Sequence, residues 1–182
     1  MMFKKPAGYD ETTARTETTP RLPAGGYICE VIAAEVRKSR RGAEMLVLSV
    51  DVASGRYAGH FKRRKSAFQL DFWPGNAKIY QVLEGRSVAM FKRLVEDFEA
   101  SNPGWQLTWD ASGAFDEQKF VGLTLGCLFR EEEYEREDGS VGTAVRICGT
   151  RPAAEVEDAP VPPKKELPGK RQAYDPNEEI PF

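Results

Sequence analysis

The residues best suited to chemistry in this sequence are basic and aromatic side chains, which concentrate between positions 37 and 65. Nine basic residues stand there against two acidic ones, although the chain of 182 residues has a formal net charge of −2. Cations neutralise phosphates, and aromatic faces stack on bases. The stretch favours binding of a nucleic-acid strand; the alternative is a solubilising basic loop over core aromatics. The candidate contacts are Arg37, Lys38, Arg40, Arg41, Tyr57, His60, Phe61, Lys62, Arg63, Arg64, Lys65 and Trp73.

A second candidate site is the closing segment "DPNEEIPF". It is too short to fold and too polar to pack, yet it ends on apolar residues. The pattern predicts a peptide ligand for other proteins. Phe182 would enter an apolar pocket, its carboxylate would pair with an arginine, and Pro181 would lower the ordering cost. The predicted contacts are Asp175, Glu178, Glu179, Ile180, Pro181 and Phe182.

Enzymatic chemistry has little support in the sequence. His60 is the single histidine, and no nucleophile-elbow, zinc-protease, P-loop or dinucleotide motif is present. The acidic run "REEEYERED" at 130–138 could serve a metal-dependent nuclease, but charge beside a turn is usually a solvated loop. We therefore expect no catalytic residue, metal or cofactor.

Location is indicated by the cysteines and by hydropathy. Three cysteines without CxxC spacing suit a reducing compartment. No stretch is long and apolar enough for a transmembrane helix or a secretory signal. The sequence predicts a cytoplasmic protein without a membrane partner, and leaves self-association open.

The elements that must position these residues are mainly strands. Alternation predicts strands within 27–39 and 45–54, with a bulge near Ala33, and places Ser49 and Asp51 on the solvent side. The basic and aromatic stretch 56–76 reads as a strand, a long loop or both. Helical spacing predicts a helix over 87–101 with Arg93 and Asp97 paired on its wet side. A hairpin follows over 120–150, its small outward residues such as Gly126 suiting a bent strand.

This order of elements predicts a mainly β domain resembling the OB-fold, a five-stranded barrel with one helix between strands three and four. An SH3-like barrel or a β-sandwich with an inserted helix are the alternatives. The predicted organisation is a flexible arm over 1–19, the OB-fold domain over 20–150, a proline-rich disordered linker over 151–174 and the acidic tip over 175–182.

Two resemblances bear on function. The tip resembles the acidic Ile-Pro-Phe terminus of bacterial single-stranded-DNA-binding proteins, with Pro176 and Asn177 as departures. The stretches "LPAGGYICEVIAAEVRKSRRGAEMLVLSVDVASGRYAGHF" and "LTLGCLFREEEYEREDGSVG" look like an OB-fold family of phages and prophages of Gram-positive bacteria, across about 21–150. That family is taken to supply the phage's own single-strand binder.

The resemblances imply a non-enzymatic protein that coats single-stranded DNA in the bacterial host cell. Its tip would recruit replication, recombination and repair proteins. Two other interpretations stay open: an OB-like adaptor that mimics the host tail without binding DNA, and a small nuclease that uses the acidic run.

Overall fold

The computed structural model describes residues 4–10 and 20–168. The described part is mainly β. Its strands are β1 (Gly25–Lys38), β2 (Glu44–Val52), β3 (Lys78–Val82), β4 (Thr124–Glu135) and β5 (Val141–Arg151). Its α-helices are α1 (His60–Ala67), α2 (Val88–Ser101) and α3 (Ala153–Val156). Short 3-10 turns lie at Gly75–Ala77, Gly85–Ser87 and Glu117–Phe120.

The five strands form one antiparallel sheet in the order β3-β2-β1-β4-β5. The long β1 pairs with β2 along most of its length and with β4 through its first half. Its register shifts between Val31 and Ala33, which confirms the predicted bulge. Among the described residues β3 and β5 do not pair with each other, so the sheet is not closed into a barrel.

The core lies on one face of this curved sheet. Alternate residues of β2 point into it, namely Leu46, Leu48, Val50 and Val52, as predicted. Leu125, Cys127 and Phe129 of β4 join them, which confirms the inward face of the hairpin. Phe98 of α2 and Phe120 close the core, with ring centroids 5.0 Å apart.

Two polar residues predicted to face solvent are buried instead. Ser49 lies on the outward face between Ala33 and Lys78 in the strand register, and its neighbours cover it. Asp51 is buried because its carboxylate accepts hydrogen bonds from the backbone of α1. The solvent-side assignment fails because α1, which covers this end of β2, is not visible in the alternation.

The helix α2 confirms the predicted helix, but the predicted wet side is wrong for Asp97. Its carboxylate is 1 % exposed and accepts hydrogen bonds from Arg93 Nε at 3.1 Å and from Thr150 Oγ1 at 2.7 Å. A carboxylate can be buried where charged and polar donors satisfy it. Asp97 therefore joins α2 to the end of β5 through Thr150, in addition to its i,i+4 ion pair with Arg93.

Residues 151–168, predicted as part of a disordered linker, pack against the sheet. Val156 of α3 is fully buried and covers Gly26 and Gly126, where an added Cβ would clash with it. The smallness of Gly126 thus serves the approach of α3, and not only strand curvature. The described structure thus continues past residue 150, where the predicted domain ends.

Beyond α3 the chain returns to the free half-edge of β4. The backbone N–H of Lys165 donates to the carbonyl of Glu131 at 2.8 Å, and Glu133 N–H donates to the carbonyl of Lys165 at 2.9 Å. Lys164 Nζ lies 2.7 Å from a carboxylate oxygen of Glu133. We call the segment around Lys164 and Lys165 the strap; it covers part of the edge of β4 that would otherwise be open to pairing with another strand.

Candidate nucleic-acid interface

The basic stretch that the sequence singles out is divided in two by β2. Arg37, Lys38, Arg40 and Arg41 lie at the β1–β2 turn, where β2 begins. The residues Lys62–Lys65 lie on α1, beyond the other end of that strand. The nine residues of β2 span about 25–30 Å at roughly 3.3 Å per residue. The cluster is therefore two separate basic surfaces.

The β1–β2 turn holds its arginines outward. Ser39 N–H donates to the carbonyl of Ala43 at 2.8 Å, and Gly42 adopts a φ of 83°, which glycine accommodates without a Cβ clash. Arg40 and Arg41 are exposed and form no ion pair with a described residue. Two unneutralised guanidinium groups thus project from one end of the sheet.

An aromatic and cationic surface lies beside this turn, on the outward side of the sheet, where side chains of β1 and β3 are exposed and those of β2 between them, Val47 and Ser49, are buried. The strand register places Glu35, Val47 and Tyr80 in one row across the sheet. Tyr80 is 49 % exposed, and the guanidinium carbon of Arg37 lies 5.7 Å from its ring centroid. Lys78, two residues earlier on β3, points to the same side. We call Arg37, Lys78 and Tyr80, with the row between them, the outward face.

Sequence reasoning missed Lys78 and Tyr80. The predicted third strand lay within 56–76, whereas β3 begins at Lys78. A strand of five residues, "KIYQV", gives too short an alternation to stand out. The signal that could have found Tyr80 is its placement between Ile79 and Gln81 in that strand, which points the tyrosine away from the core.

The second basic surface is α1, which β2 anchors. Asp51 Oδ1 accepts the Phe61 N–H at 2.9 Å, and Asp51 Oδ2 accepts the Lys62 N–H at 3.0 Å. The first turn of a helix has unpaired N–H groups, and a carboxylate there also favours the helix dipole. Gly59, at a φ of 67°, turns the chain into the helix. This arrangement makes a helix of a stretch predicted as strand or loop.

The cationic side chains of α1 point away from that anchor. Lys62 and Arg63 are exposed, whereas Arg64 and Lys65 are half-buried. Arg63 donates to the carbonyl of Ala58, and the Arg64 guanidinium carbon lies 5.0 Å from the Phe68 ring centroid. The helix can offer cations to a phosphate backbone.

Phe61 and His60 are corrected as contact residues. Phe61 is fully buried, and its ring stacks on Phe129 with centroids 5.9 Å apart. His60 is 2 % exposed and lies edge-on to Phe61. Neither ring exposes a face to a base, because the apolar side of α1 must pack into the core.

Tyr57 and Trp73, the other predicted stacking residues, are half-buried. Tyr57 packs edge-on against Tyr27, and the Arg56 guanidinium carbon lies 5.6 Å from its ring centroid. Trp73 donates its indole N–H to the carbonyl of Val50 at 3.0 Å. Both rings pack against the core and expose a smaller fraction of their surface than Tyr80 does.

Burial also sets the protonation of His60. Desolvation lowers its pKa below 6.5, and the nearby Arg64 and Arg63 lower it further, while Asp51 opposes them. The neutral imidazole lines a cavity of about 130 Å³ together with Arg21, Arg64 and Tyr134. At neutral pH the residue is therefore an uncharged core group.

A larger groove of about 610 Å³ separates the edges of β3 and β5, with α2 at its side. Lys78 and Tyr80 belong to its wall as well as to the outward face. Arg93 and Arg151 line it from α2 and from the end of β5. The sequence predicts an ion pair for Arg93 but assigns neither arginine to a binding surface, because the two come together only in the folded chain.

The acidic run 130–138 lies mostly in β4, and two of its carboxylates have cationic partners. Glu132 lies 2.8 Å from Arg130, and Glu133 pairs with Lys164 of the strap. Among residues 4–10 and 20–168, no three His, Cys, Asp or Glu side chains are grouped as a metal site requires. Nor does that part contain a helix of the length and apolarity needed to cross a bilayer.

The predicted tip contacts Asp175, Glu178, Glu179, Ile180, Pro181 and Phe182 lie outside the described residues, as does most of the arm predicted over 1–19. Comparison with models of known protein families and with curated proteins finds no match. The function proposed below therefore depends on the geometry of the site and on the resemblances in the sequence.

Proposed function

We propose that this protein binds single-stranded DNA through the outward face of β1, β2 and β3 and the adjoining β1–β2 turn. The observation that carries the proposal is Tyr80, a half-exposed ring flanked by Arg37 and Lys78. A ring can stack on any base, and the flanking cations can neutralise the phosphates on either side of it. Arg40 and Arg41 extend the cationic path along the turn.

We propose further that the domain is an OB-fold opened between strands three and five. The strand order β3-β2-β1-β4-β5 and the position of α2 between β3 and β4 support this. In OB-folds the face of strands two and three and the loop between strands one and two bind oligonucleotides. The outward face occupies that position, and the resemblance to phage single-strand binders points to the same ligand.

The acidic tip completes the proposal. Residues 175–182 would recruit replication, recombination and repair proteins, with Phe182 as the anchor and the carboxylates steering encounter with a basic surface. The domain would then hold the strand, while the tip holds partners. In this account the protein contributes no catalytic residue of its own and works as a phage-encoded single-strand binder in the bacterial cytoplasm.

The test is replacement of Tyr80 in the full chain, read by fluorescence anisotropy of labelled oligo-dT. Stacking on one base contributes about 1–3 kcal/mol, so Tyr80→Ala is expected to weaken binding roughly 5- to 150-fold. Tyr80→Phe keeps the ring and should stay near wild type. Trp109→Ala removes a ring of similar exposure from the loop between α2 and β4 and serves as the matched control.

The face would be wrongly assigned if Tyr80→Ala bound oligo-dT as wild type does. A larger loss in Trp109→Ala than in Tyr80→Ala would move the interface to the loop between α2 and β4. Circular dichroism of each variant shows whether an affinity change reflects binding and not unfolding.

A further inference from the structure

The groove between β3 and β5 has the composition of an anion site. It runs between two strand edges that lack a partner strand among the described residues, and it has a volume of about 610 Å³. Lys78, Arg93 and Arg151 line it, and none of the described residues in its lining is acidic. The groove is therefore cationic in a protein whose net charge is negative.

The carboxylate of Asp97 contacts two residues that line the groove, Arg93 and Thr150. Asp97 is 1 % exposed, and both of its oxygens are engaged, Oδ1 by Arg93 Nε and Oδ2 by Thr150 Oγ1. The Arg93 side chain remains 55 % exposed. Asp97 thus holds Arg93 by one nitrogen and leaves the rest of its guanidinium group facing the groove. A guanidinium fixed in this way loses less freedom when it binds a phosphate.

Arg151 adds a donor without an acceptor. Its Nε is buried and has no hydrogen-bond partner among the described residues. Buried polar atoms in folded proteins nearly always have a partner, so this exception needs an explanation, and an ordered water or a bound ion is one. Arginine also binds phosphate through two parallel N–H donors, which suits a site with two guanidinium groups.

We propose that this groove binds a backbone phosphate of the same DNA strand that crosses the outward face. Lys78 and Tyr80 line both surfaces, so a strand that passes over β3 reaches the groove without a gap. Arg93 and Arg151 then contact the next phosphate, beyond the base on Tyr80. The inference rests on the proposed function. It extends the interface from β1, β2 and β3 to α2 and to β5, the edge strand at the other end of the strand order.

The test compares the salt dependence of oligo-dT binding in the full chain and in single variants. Each phosphate contact with a single strand contributes about 0.7 to the slope of log K against log salt. Arg93→Gln and Arg151→Gln should each lower the magnitude of that slope by up to about 0.7. Arg146→Gln is the matched control, because Arg146 is an exposed arginine of β5 that does not line the groove.

The outcomes separate this inference from the proposed function. If wild type binds and both groove variants keep its slope, the groove is wrong and the outward face stands. If wild type does not bind oligo-dT at low salt, the proposed function itself fails. Because Arg151 is partly buried, thermal unfolding accompanies each titration, and Arg93→Gln tests the groove even if Arg151→Gln is unstable.

Inorganic phosphate distinguishes a strand phosphate from a free one. It is added to wild type and to Arg93→Gln at constant ionic strength, without DNA, and binding is followed by calorimetry. Weak or absent binding together with the slope change supports the strand assignment. Saturable binding in wild type that Arg93→Gln loses, without a slope change, would overturn it in favour of a free phosphate ligand.

Discussion

Asp51 is the residue on which the position of α1 depends most, and its removal gives a sharp prediction. The side chain is 5 % exposed and accepts N–H groups of Val52, Phe61 and Lys62 at 2.9–3.0 Å. Asp51→Ala leaves the two helix donors without this acceptor. A hydrogen bond to a charged group contributes about 1.5–3 kcal/mol, so the two together give a loss of at least about 3 kcal/mol.

The assay is urea unfolding followed by circular dichroism at the helix minimum. For a chain of this size, a loss of 3 kcal/mol corresponds to a melting temperature lower by about 6–12 °C. Asp51→Asn keeps one carbonyl acceptor and should lie between wild type and Asp51→Ala. Asp71→Ala, at an exposed position, is the control and should change stability by no more than about 0.5 kcal/mol.

If Asp51→Ala has an unfolding free energy within about 1 kcal/mol of that of Asp71→Ala, Asp51 does not hold α1 in place. A second consequence concerns binding. Because α1 lies beyond the end of β2 opposite the β1–β2 turn, outside the proposed binding surface, oligo-dT affinity should be the same in Asp51→Ala as in Asp71→Ala under conditions where both are folded.

Two further predictions concern packing and pH. Gly26→Ala should destabilise the fold by about 1–3 kcal/mol, because the added Cβ would clash with Val156 of α3. The control is Gly149→Ala, whose Cβ meets only Leu128 at 3.9 Å and should leave stability near that of wild type in the same unfolding assay. Equal effects of the two substitutions would contradict the role of α3. The pKa of His60 is lowered in the folded state, so the unfolded chain takes up its proton first, and stability should decrease as pH falls below about 7 toward the folded value. His60→Gln should show a weaker decrease between pH 7 and 5.5 or so, and an identical decrease would exclude His60 as its source.

The parts of the fold that were predictable from sequence are those with a long, regular period. The β4–β5 hairpin alternates through Leu125, Cys127 and Phe129, and α2 keeps a helical spacing for three turns. In both, the pattern alone predicts the element, although the burial of Asp97 departs from it in α2.

The parts that were not predictable depend on contacts between distant residues. Asp51 caps a helix that begins nine positions later, and no local rule for capping reaches that far. Val156 orders a proline-rich segment because it fits over Gly26 and Gly126, which composition does not reveal. Tyr80 lies on a five-residue strand, whose face is decided by its pairing with β2.

The candidate site shows the same division. The sequence located the basic residues, but only the structure shows that β2 separates them into two surfaces. It also shows that Phe61 and His60 are buried, and it leads us to propose Lys78 and Tyr80 as contacts instead. Linear charge density therefore locates basic residues along the chain, but it does not show which of them share a surface.

The most direct test of the central claim is a titration of labelled oligo-dT with the full chain at two salt concentrations, in the presence and absence of unlabelled duplex. A single-strand binder is expected to bind the oligonucleotide tightly at low salt, to lose affinity steeply as salt rises and to resist competition by duplex. No binding at low salt, or equal competition by duplex, would contradict the account.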